Sequence, residues 1–248
     1  MNGLDLHLRG LRTAVACWAA YARTVRGGTV QHLPGVEVAV FTDGPEREFF
    51  NNAVLGHGLG PAARRRALDA MAATYAEAGI TSYAAWTHES DTAMVDDLTA
   101  RGLRHQETTW SMGRTLEAPV REVNGVAVDR GHWSEYLQVL ELPPGLLVDA
   151  DPDDFDVAVG RLEGRAVATG MGFDHDGDCG IYNVGTVAQA RGRGLGAAVV
   201  ARLLRGAVGR GATTATLQAT EMARGVYASE GFTHLGRILE FGPPGRSA

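Results

Sequence analysis

Residues 187–197 read Val-Ala-Gln-Ala-Arg-Gly-Arg-Gly-Leu-Gly-Ala and lie between a strand-like run and an apolar, helix-like run. Three positions in this stretch are glycines: Gly192, Gly194 and Gly196. Because glycine has no Cβ, backbone N–H groups here can turn outward and approach another group closely. A helix that starts at this point adds the positive end of its dipole, and Arg191 and Arg193 add planar guanidinium donors. The stretch therefore predicts a phosphate-binding loop between a strand and a helix.

Two well-known phosphate loops share this glycine-rich pattern. A Walker P-loop requires a lysine, and the chain contains none, which excludes that class. The Rossmann pattern is formally met by Gly192, Gly194 and Ala197, but a Rossmann loop opens a domain of several βα units with an acidic residue about 20 positions later. Here the next strand ends near Gln218, an amide, and the chain is nearly finished. The remaining class is the loop that holds the pyrophosphate of acetyl-CoA.

Two motifs carry a family resemblance. Residues 191–196 fit the pattern Gln/Arg-x-x-Gly-x-Gly/Ala at every defined position. Residues 226–232 read Val-Tyr-Ala-Ser-Glu-Gly-Phe and are similar to Leu-Tyr-x-x-x-Gly-Phe. In this order the motifs resemble those of the GCN5-related N-acetyltransferase (GNAT) family, over about residues 120–241. The resemblance implies an α/β (α+β) fold with a mixed central sheet of the acyl-CoA N-acyltransferase type.

The resemblance also implies a site and a reaction. Acetyl-CoA would be the acyl donor, with its pantetheine along Thr186 and Val187. Its pyrophosphate would lie on the loop residues Arg191, Gly192, Arg193, Gly194, Leu195, Gly196 and Ala197. A primary amine of a small molecule or peptide would attack the acyl carbonyl directly, and Tyr227 would protonate the departing thiolate, since a phenol has a pKa of about 10. The alternative role of Tyr227 is an aromatic anchor for a short helix.

The general base is where the sequence departs from the family. Some members use a glutamate on the strand before the loop, whereas residues 179–184 contain no carboxylate. Asp174, His175, Asp176 and Asp178 lie just upstream, and their Asp-Gly turn is typical of a solvated hairpin. The sequence therefore assigns no base. The missing carboxylate leaves a second function open, a non-catalytic acyl-CoA-binding sensor or regulatory module.

Hydrophobic spacing in the second half of the chain predicts the order βββαβαβ. Glu163-Gly164 and Asp176-Gly177 are hairpin turn signals that separate the first three strands. Apolar residues at helical spacing, Leu195, Val199 and Leu203, predict a helix directly after the loop. The predicted strands are 156–162, 165–173, 179–187, 213–219 and 232–241, and a short helix is predicted at 221–229.

The first half of the chain predicts a related order. Helices are expected at 11–25, 61–78 and 91–100, strands at 36–42, 82–87 and 103–115, and a glycine-rich passage at 51–60. The order αβαβ repeats the later part of the second half, but no Arg-x-x-Gly-x-Gly loop precedes Pro61. We therefore expect two domains that are tandem GNAT-like units. Residues 1–117 form a degenerate unit that binds no CoA, or else an unrelated α/β domain, and residues 118–248 form the catalytic domain.

Composition narrows the partners and the location. A net charge of −6 argues against broad nucleic-acid binding, and no stretch reaches the roughly 18 apolar residues of a membrane span. Two cysteines, Cys17 and Cys179, provide neither a disulfide framework nor a zinc site, and the histidines have no metal-ligand spacing. The sequence thus predicts a cytoplasmic protein without a metal, a membrane partner or a nucleic-acid partner. It leaves a homodimer open.

Overall fold

A computed structural model of the chain describes residues 1–121, 126–147 and 149–245. Its helices are α1 (Gly3–Ala22), α2 (Glu46–Phe49), α3 (Pro61–Glu77), α4 (Thr92–Ala100), α5 (Trp133–Leu140), α6 (Leu195–Gly209) and α7 (Arg224–Ser229). A single 3₁₀ turn at Ala188–Ala190 precedes α6. The strands are β1 (Gly28–Leu33), β2 (Val36–Phe41), β3 (Asn52–Leu55), β4 (Ala84–His88), β5 (Arg104–Thr115), β6 (Ala127–Arg130), β7 (Asp156–Leu162), β8 (Arg165–His175), β9 (Asp178–Thr186), β10 (Thr214–Ala219) and β11 (Thr233–Gly242).

The described residues form two compact units. Unit 1 comprises those within Met1–Cys17 and Trp110–Leu235, and unit 2 those within Trp18–Thr109 and Gly236–Ala248. Each unit therefore uses residues from both sides of the sequence boundary expected between residues 117 and 118. A compact unit is defined by contacts in space, whereas the predicted domains were defined by a repeated order of elements along the chain. The division into domains 1–117 and 118–248 therefore stays a prediction. Residues 122–125, 148 and 246–248 of the expected catalytic domain lie outside the described residues.

The sheet of unit 1 has the strand order β6-β7-β8-β9-β10-β5. Neighbouring strands are antiparallel except β9 and β10, which are parallel. Both expected hairpin turns are present, and both central residues of each have positive φ, at 49° and 78° for Glu163-Gly164 and 47° and 73° for Asp176-Gly177. Such φ values match the right-handed twist of the flanking strands. The three-stranded antiparallel meander is therefore confirmed.

Helix α6 closes the core of unit 1. Leu195, Val199 and Leu203 are buried in one apolar cluster with residues of β8, β9 and β10. Burying one such side chain contributes about 1.5–3 kcal/mol, so this stripe alone holds α6 firmly against the sheet. The helical spacing that the sequence showed after the glycine loop is confirmed.

The sheet of unit 2 has the order β1-β2-β3-β4-β11, and only β3 and β4 are parallel. The succession of two antiparallel pairs, one parallel pair and one antiparallel pair is the one that runs from β7 to β5 in unit 1. A helix follows β3 and another follows β4, as helices follow β9 and β10. Strand β5 comes from the first half of the chain and pairs with β10 within unit 1, whereas β11 comes from the second half and pairs with β4 within unit 2. This correspondence supports the prediction of tandem units.

Two elements differ from the sequence expectation, the strand β3 and the start of helix α1. Strand β3 lies within the glycine-rich passage where no element was expected, because four residues buried on both faces show no alternation. Helix α1 begins at Gly3 rather than at residue 11. Its start has a signal that the sequence analysis missed, a reciprocal cap in which the Asp5 N–H donates to Asn2 Oδ1 at 2.9 Å and the Asn2 N–H donates to Asp5 Oδ2 at 3.3 Å.

Asp178 overturns one expectation. It was grouped with solvated turn residues, but it is 0 % exposed at the start of β9. Its carboxylate accepts hydrogen bonds from the hydroxyls of Thr13, Thr214 and Thr216 at 2.8, 2.7 and 2.7 Å. A buried carboxylate requires such donors, and they come from α1 and β10, which are distant in sequence. Asp178 therefore ties three elements of unit 1 together.

We expect Asp178→Ala to lower the free energy of unfolding by about 3 kcal/mol or more, because three buried hydroxyls lose their acceptor at about 1 kcal/mol each. Urea denaturation followed by circular dichroism measures the change. Asp176→Asn is the matched control, since Asp176 is an exposed turn residue with positive φ and asparagine tolerates that conformation. The control should change stability by less than about 0.5 kcal/mol. Equal effects of the two substitutions would contradict the structural role of Asp178.

Candidate functional site

A gap opens between the carboxyl ends of β9 and β10 in unit 1. The two strands are paired from Asp178 and Thr214 to Ile181 and Leu217, yet both continue beyond the last pair. Between the pairs Met171–Tyr182 and Thr169–Gly185, one residue of β8 is opposed by two residues of β9, of which Asn183 has a φ of 51°. This β-bulge bends β9 and ends its pairing with β10. The edge of β9 that faces β10 is therefore free of strand hydrogen bonds after Ile181.

The predicted glycine loop follows β9 directly and leads into α6, for which Gly194 is the N-cap. Gly192 and Gly194 both have a φ of 75°, a left-handed conformation that costs an L-residue roughly 1–2 kcal/mol. A Cβ at either position would meet no atom within 4 Å. These two glycines are thus required by backbone conformation, and the space in front of them is open.

The backbone of the loop points donors at that open space. Within the described part of the chain, no acceptor takes the N–H groups of Gly192, Arg193 or Gly194. The first turn of α6 contains no acidic residue, so its own free N–H groups and the positive end of its dipole are uncompensated. Arg191 donates from Nε to the carbonyl of Thr186 at 3.1 Å, which fixes the loop to the end of β9. This arrangement can bind an anion such as a phosphate.

The structure brings the other predicted donor-site residues to the same place. Thr186 and Val187 are half-buried at the end of β9, and Gly196 and Ala197 are half-buried in the first turn of α6. Leu195 is 1 % exposed and its side chain belongs to the core, so only its backbone can face a ligand. Arg191 and Arg193 are exposed.

The corresponding loop of unit 2, between β3 and α3, differs in its hydrogen bonding. Gly58 also has positive φ, at 70°, but its N–H donates to the carboxylate of Asp91 at 2.8 Å. The same carboxylate accepts the Met94 N–H at 3.2 Å and caps α4. Pro61 at the start of α3 has no N–H to offer. An internal carboxylate thus takes a donor that would otherwise face a phosphate, which supports the prediction that this half binds no CoA.

Tyr227 lies on α7, just after β10 on the chain. It is 6 % exposed and packs edge-on against Phe232, with ring centroids 6.1 Å apart, in the cluster that also contains Leu217 and Leu195. Burial raises the pKa of Tyr227 to about 12. The side chain therefore anchors α7, which is the alternative role predicted for it. Its phenol also keeps its proton at neutral pH, which a general acid requires.

Two polar groups near the gap were not singled out for function by the sequence. Asn183 donates from Nδ2 to the hydroxyl of the fully buried Tyr136 at 2.8 Å, which ties the bulge of β9 to α5. Asparagine adopts positive φ more readily than most residues, so an asparagine inside a predicted strand is a sequence signal that indicates such a bulge.

A second group surrounds Trp110, the cross-strand partner of Ala219 at the end of β10. Trp110 donates from Nε1 to Glu221 at 2.6 Å, and the guanidinium of Arg224 lies 4.7 Å from the centroid of its indole ring. Arg224 also pairs with Glu221 at 3.0 Å. The indole ring is only half-buried, and its polar partners lie more than 100 residues away in sequence.

Residues 126–232, from just before β6 to just after α7, match the model of the acetyltransferase (GNAT) family. This part of the chain is a GNAT acetyltransferase domain. It includes the gap, the glycine loop and Tyr227. The family resemblance inferred from the two motifs is confirmed.

Solved structures of similar fold cover the chain more widely. A GCN5-related N-acetyltransferase from Kribbella flavida aligns over 96 % of both chains with a TM-score of 0.74 and 20 % identity. One from Sphaerobacter thermophilus aligns over 86 % of this chain and 79 % of its own, with a TM-score of 0.62 and 19 % identity. A tandem GNAT protein from the clavulanic acid biosynthesis pathway covers 97 % and 96 %, with a TM-score of 0.61 and 11 % identity. No curated protein sequence matches the chain. The likenesses confirm the α/β fold with a mixed central sheet.

Within residues 1–121, 126–147 and 149–245, no helix combines the length and the hydropathy needed to cross a bilayer. No three His, Cys, Asp or Glu side chains there are grouped so as to hold a metal ion.

We expect the phenolate of Tyr227 to form near pH 12 instead of about 10, because burial disfavours its charged form. The raised pKa contributes stability that is full below the unfolded pKa of about 10 and is lost as pH rises toward 12. The difference in phenolate absorbance between the wild type and Tyr227→Phe, followed against pH, measures the titration. A difference signal that titrates at about 10 would contradict the buried environment.

Proposed function

We propose that the chain transfers the acetyl group of acetyl-CoA to a primary amine of a small molecule or peptide by direct attack. The observation that carries this proposal is the set of unbonded N–H groups at Gly192, Arg193 and Gly194, beside a gap between two parallel strands. The GNAT domain supports an acyltransferase in general. The loop and the gap support acetyl-CoA as the donor.

Donor binding uses two parts of this site. The pyrophosphate accepts hydrogen bonds from the loop N–H groups, and Arg191 and Arg193 neutralise its charge. The pantetheine arm lies along Thr186 and Val187, where the free edge of β9 can bond the amides of the arm as a neighbouring strand would. The thioester then reaches the gap between β9 and β10.

The chemistry follows from this position. A neutral amine attacks the thioester carbonyl, and the departing sulfur needs a proton. Tyr227 supplies it, since its raised pKa keeps the phenol protonated through the neutral range. Ile181, Leu217 and Tyr227 belong to an apolar cluster beside the gap, and apolar surroundings favour neutral products over a free thiolate.

Gly194→Ala tests the donor loop. We expect CoA affinity, measured by calorimetry, to fall at least about tenfold, which corresponds to 1.4 kcal/mol, because alanine destabilises the left-handed backbone that directs the N–H groups. Gly211→Ala is the matched control: Gly211 lies just beyond the other end of α6, has a φ of 91° and has no atom within 4 Å of a Cβ position. It carries the same backbone strain and should leave affinity unchanged. Equal losses of CoA affinity in both variants, or no loss in either, would contradict a role of the loop in donor binding.

Tyr227→Phe tests the acid. With acetyl-CoA, a panel of primary amines and a thiol assay for released CoA, we expect kcat to fall by about 10²-fold while CoA affinity stays the same. Tyr83→Phe is the control, because Tyr83 also has a pKa raised by burial but belongs to unit 2. An unchanged rate in Tyr227→Phe would leave this residue only its anchoring role. Tight CoA binding without turnover of any amine would instead indicate the acyl-CoA sensor.

Other expectations from composition stay predictions. They are a cytoplasmic location, the lack of nucleic-acid, membrane and metal partners, and a homodimer. None of them bears on the chemistry of the gap.

A further inference from the structure

The residues of β9 beyond its last pair with β10 point to opposite faces of the unit 1 sheet in turn. Val184 packs against the apolar cluster that holds α6. Asn183 faces α5 instead, where it bonds the hydroxyl of Tyr136. Gly185 also faces α5, since a Cβ at this position would lie 2.5 Å from Leu140 Cδ2. The edge of β9 at the gap therefore has one side under α6 and another side beside α5.

The side under α6 is the one that the proposed donor site uses. The glycine loop leads directly into α6, and the apolar cluster beneath this helix includes Leu195 of its first turn. A Cβ at Gly196 would lie 3.7 Å from Thr186 Oγ1, so Thr186 also faces α6. A second substrate needs a side of the gap that neither the donor nor this core occupies. The side beside α5 meets that need.

Asn183 is exposed on the side beside α5. It lies in the β-bulge, two positions after Ile181, the last residue of β9 that pairs with β10. The neighbouring Tyr182 side chain points back toward the paired end of β9, because a Cβ at Gly180 would overlap the Tyr182 hydroxyl. A small molecule from solvent can therefore touch Asn183 directly beside the gap.

The amide of Asn183 is held by a partner that is itself fixed. Its Nδ2 donates to the hydroxyl of Tyr136 at 2.8 Å, and Tyr136 is 0 % exposed within the core. Among the described residues, no donor bonds Asn183 Oδ1. An amide oxygen accepts hydrogen bonds but does not take a proton near neutral pH. Asn183 thus presents an oriented acceptor that suits an N–H group of a ligand.

We infer that Asn183 binds the acceptor amine through a hydrogen bond from its N–H to Oδ1 and that Tyr136 positions Asn183 for this contact, an inference that rests on the proposed acetyl transfer. With one N–H held at Oδ1, the nitrogen keeps a fixed position beside the thioester and its lone pair stays free for attack. As the nitrogen attacks it becomes positively charged, and a charged donor forms a stronger hydrogen bond. Asn183 therefore stabilises the transition state more than the bound amine.

Asn183→Gly removes the side chain and keeps the backbone, because glycine readily adopts the φ of 51° at this position. The acceptors are ethanolamine, benzylamine and glycinamide, with acetyl-CoA as the donor. We expect kcat/KM for the amine to fall about tenfold, the effect of one hydrogen bond to a nitrogen that gains charge. The CoA affinity, measured by calorimetry, should not change. Gln138→Ala is the matched control, since Gln138 is an exposed amide of α5 two residues from Tyr136 and faces away from it. It should follow the wild type.

Asn183→Asp restores an acceptor at the same place, and aspartate also tolerates positive φ. Its carboxylate can accept hydrogen bonds from the amine and from the Tyr136 hydroxyl together. We expect kcat/KM to recover to at least about one third of the wild-type value, because the lost acceptor is replaced. A variant that acted only on the fold of β9 would not be rescued in this way.

Tyr136→Phe tests the positioning role separately. Phenylalanine keeps the ring in the core and removes the hydroxyl that holds Asn183, so kcat/KM should fall about threefold. In the Asn183→Gly background the same substitution should have no further effect on kcat/KM, because the side chain that Tyr136 positions is absent. A merely structural defect at Tyr136 would lower kcat/KM equally in both backgrounds.

The outcomes separate this inference from the proposed function. Wild-type protein that binds acetyl-CoA but turns over no amine overturns the acetyl transfer and the role of Asn183 with it. Wild-type turnover combined with unchanged kcat/KM in Asn183→Gly, or with a loss that Asn183→Asp does not recover, overturns the role of Asn183 alone. Equal losses for Tyr136→Phe in both backgrounds overturn the positioning role. If Asn183→Gly fails to fold, Asn183→Ala takes its place in each comparison.

Discussion

The parallel pairing of β9 with β10, and its end at Ile181 and Leu217, is the constraint on which the site depends. Up to that pair the two strands share hydrogen bonds and a common core. Beyond it the bulge at Asn183 bends β9, and the two carboxyl ends separate. One continuous sheet would leave no room for an acyl group, and two unpaired strands would have no fixed geometry. The site exists because the pairing is complete at one end and absent at the other.

The paired end is held by a buried polar cluster. Asp178 accepts hydroxyls from α1 and β10, and removal of any partner would leave a buried polar group unsatisfied. Through Thr13 the same cluster sets the position of α1 on the sheet, and the position of His7 follows from it by helical geometry. A buried carboxylate at the closed end of the gap thus fixes the helix that lies against β10.

The two glycine loops show how similar backbones acquire different functions. Gly58 and Gly194 both have left-handed φ values and both lie before a helix. In unit 2 the Gly58 N–H is taken by Asp91, whereas in unit 1 the Gly194 N–H has no acceptor among the described residues. Arginines flank only the second loop. An internal carboxylate and an external phosphate are equivalent partners for a free N–H group, so a single side chain is enough to close such a site.

The sequence by itself determined the local features: the glycine loop before α6, the two Asp-Gly and Glu-Gly hairpins, and the apolar stripe of α6. These depend on backbone conformation and on spacings within a few residues, which a single chain displays directly. It also indicated the family, through two motifs of which the second contains Tyr227. Only the tertiary structure decided that Asp178 is buried, that β5 pairs with β10 and β11 with β4, and that His7 meets Ser111. Those outcomes join residues that are far apart in the sequence, and strand register and helix crossing are properties of packing that no local pattern contains.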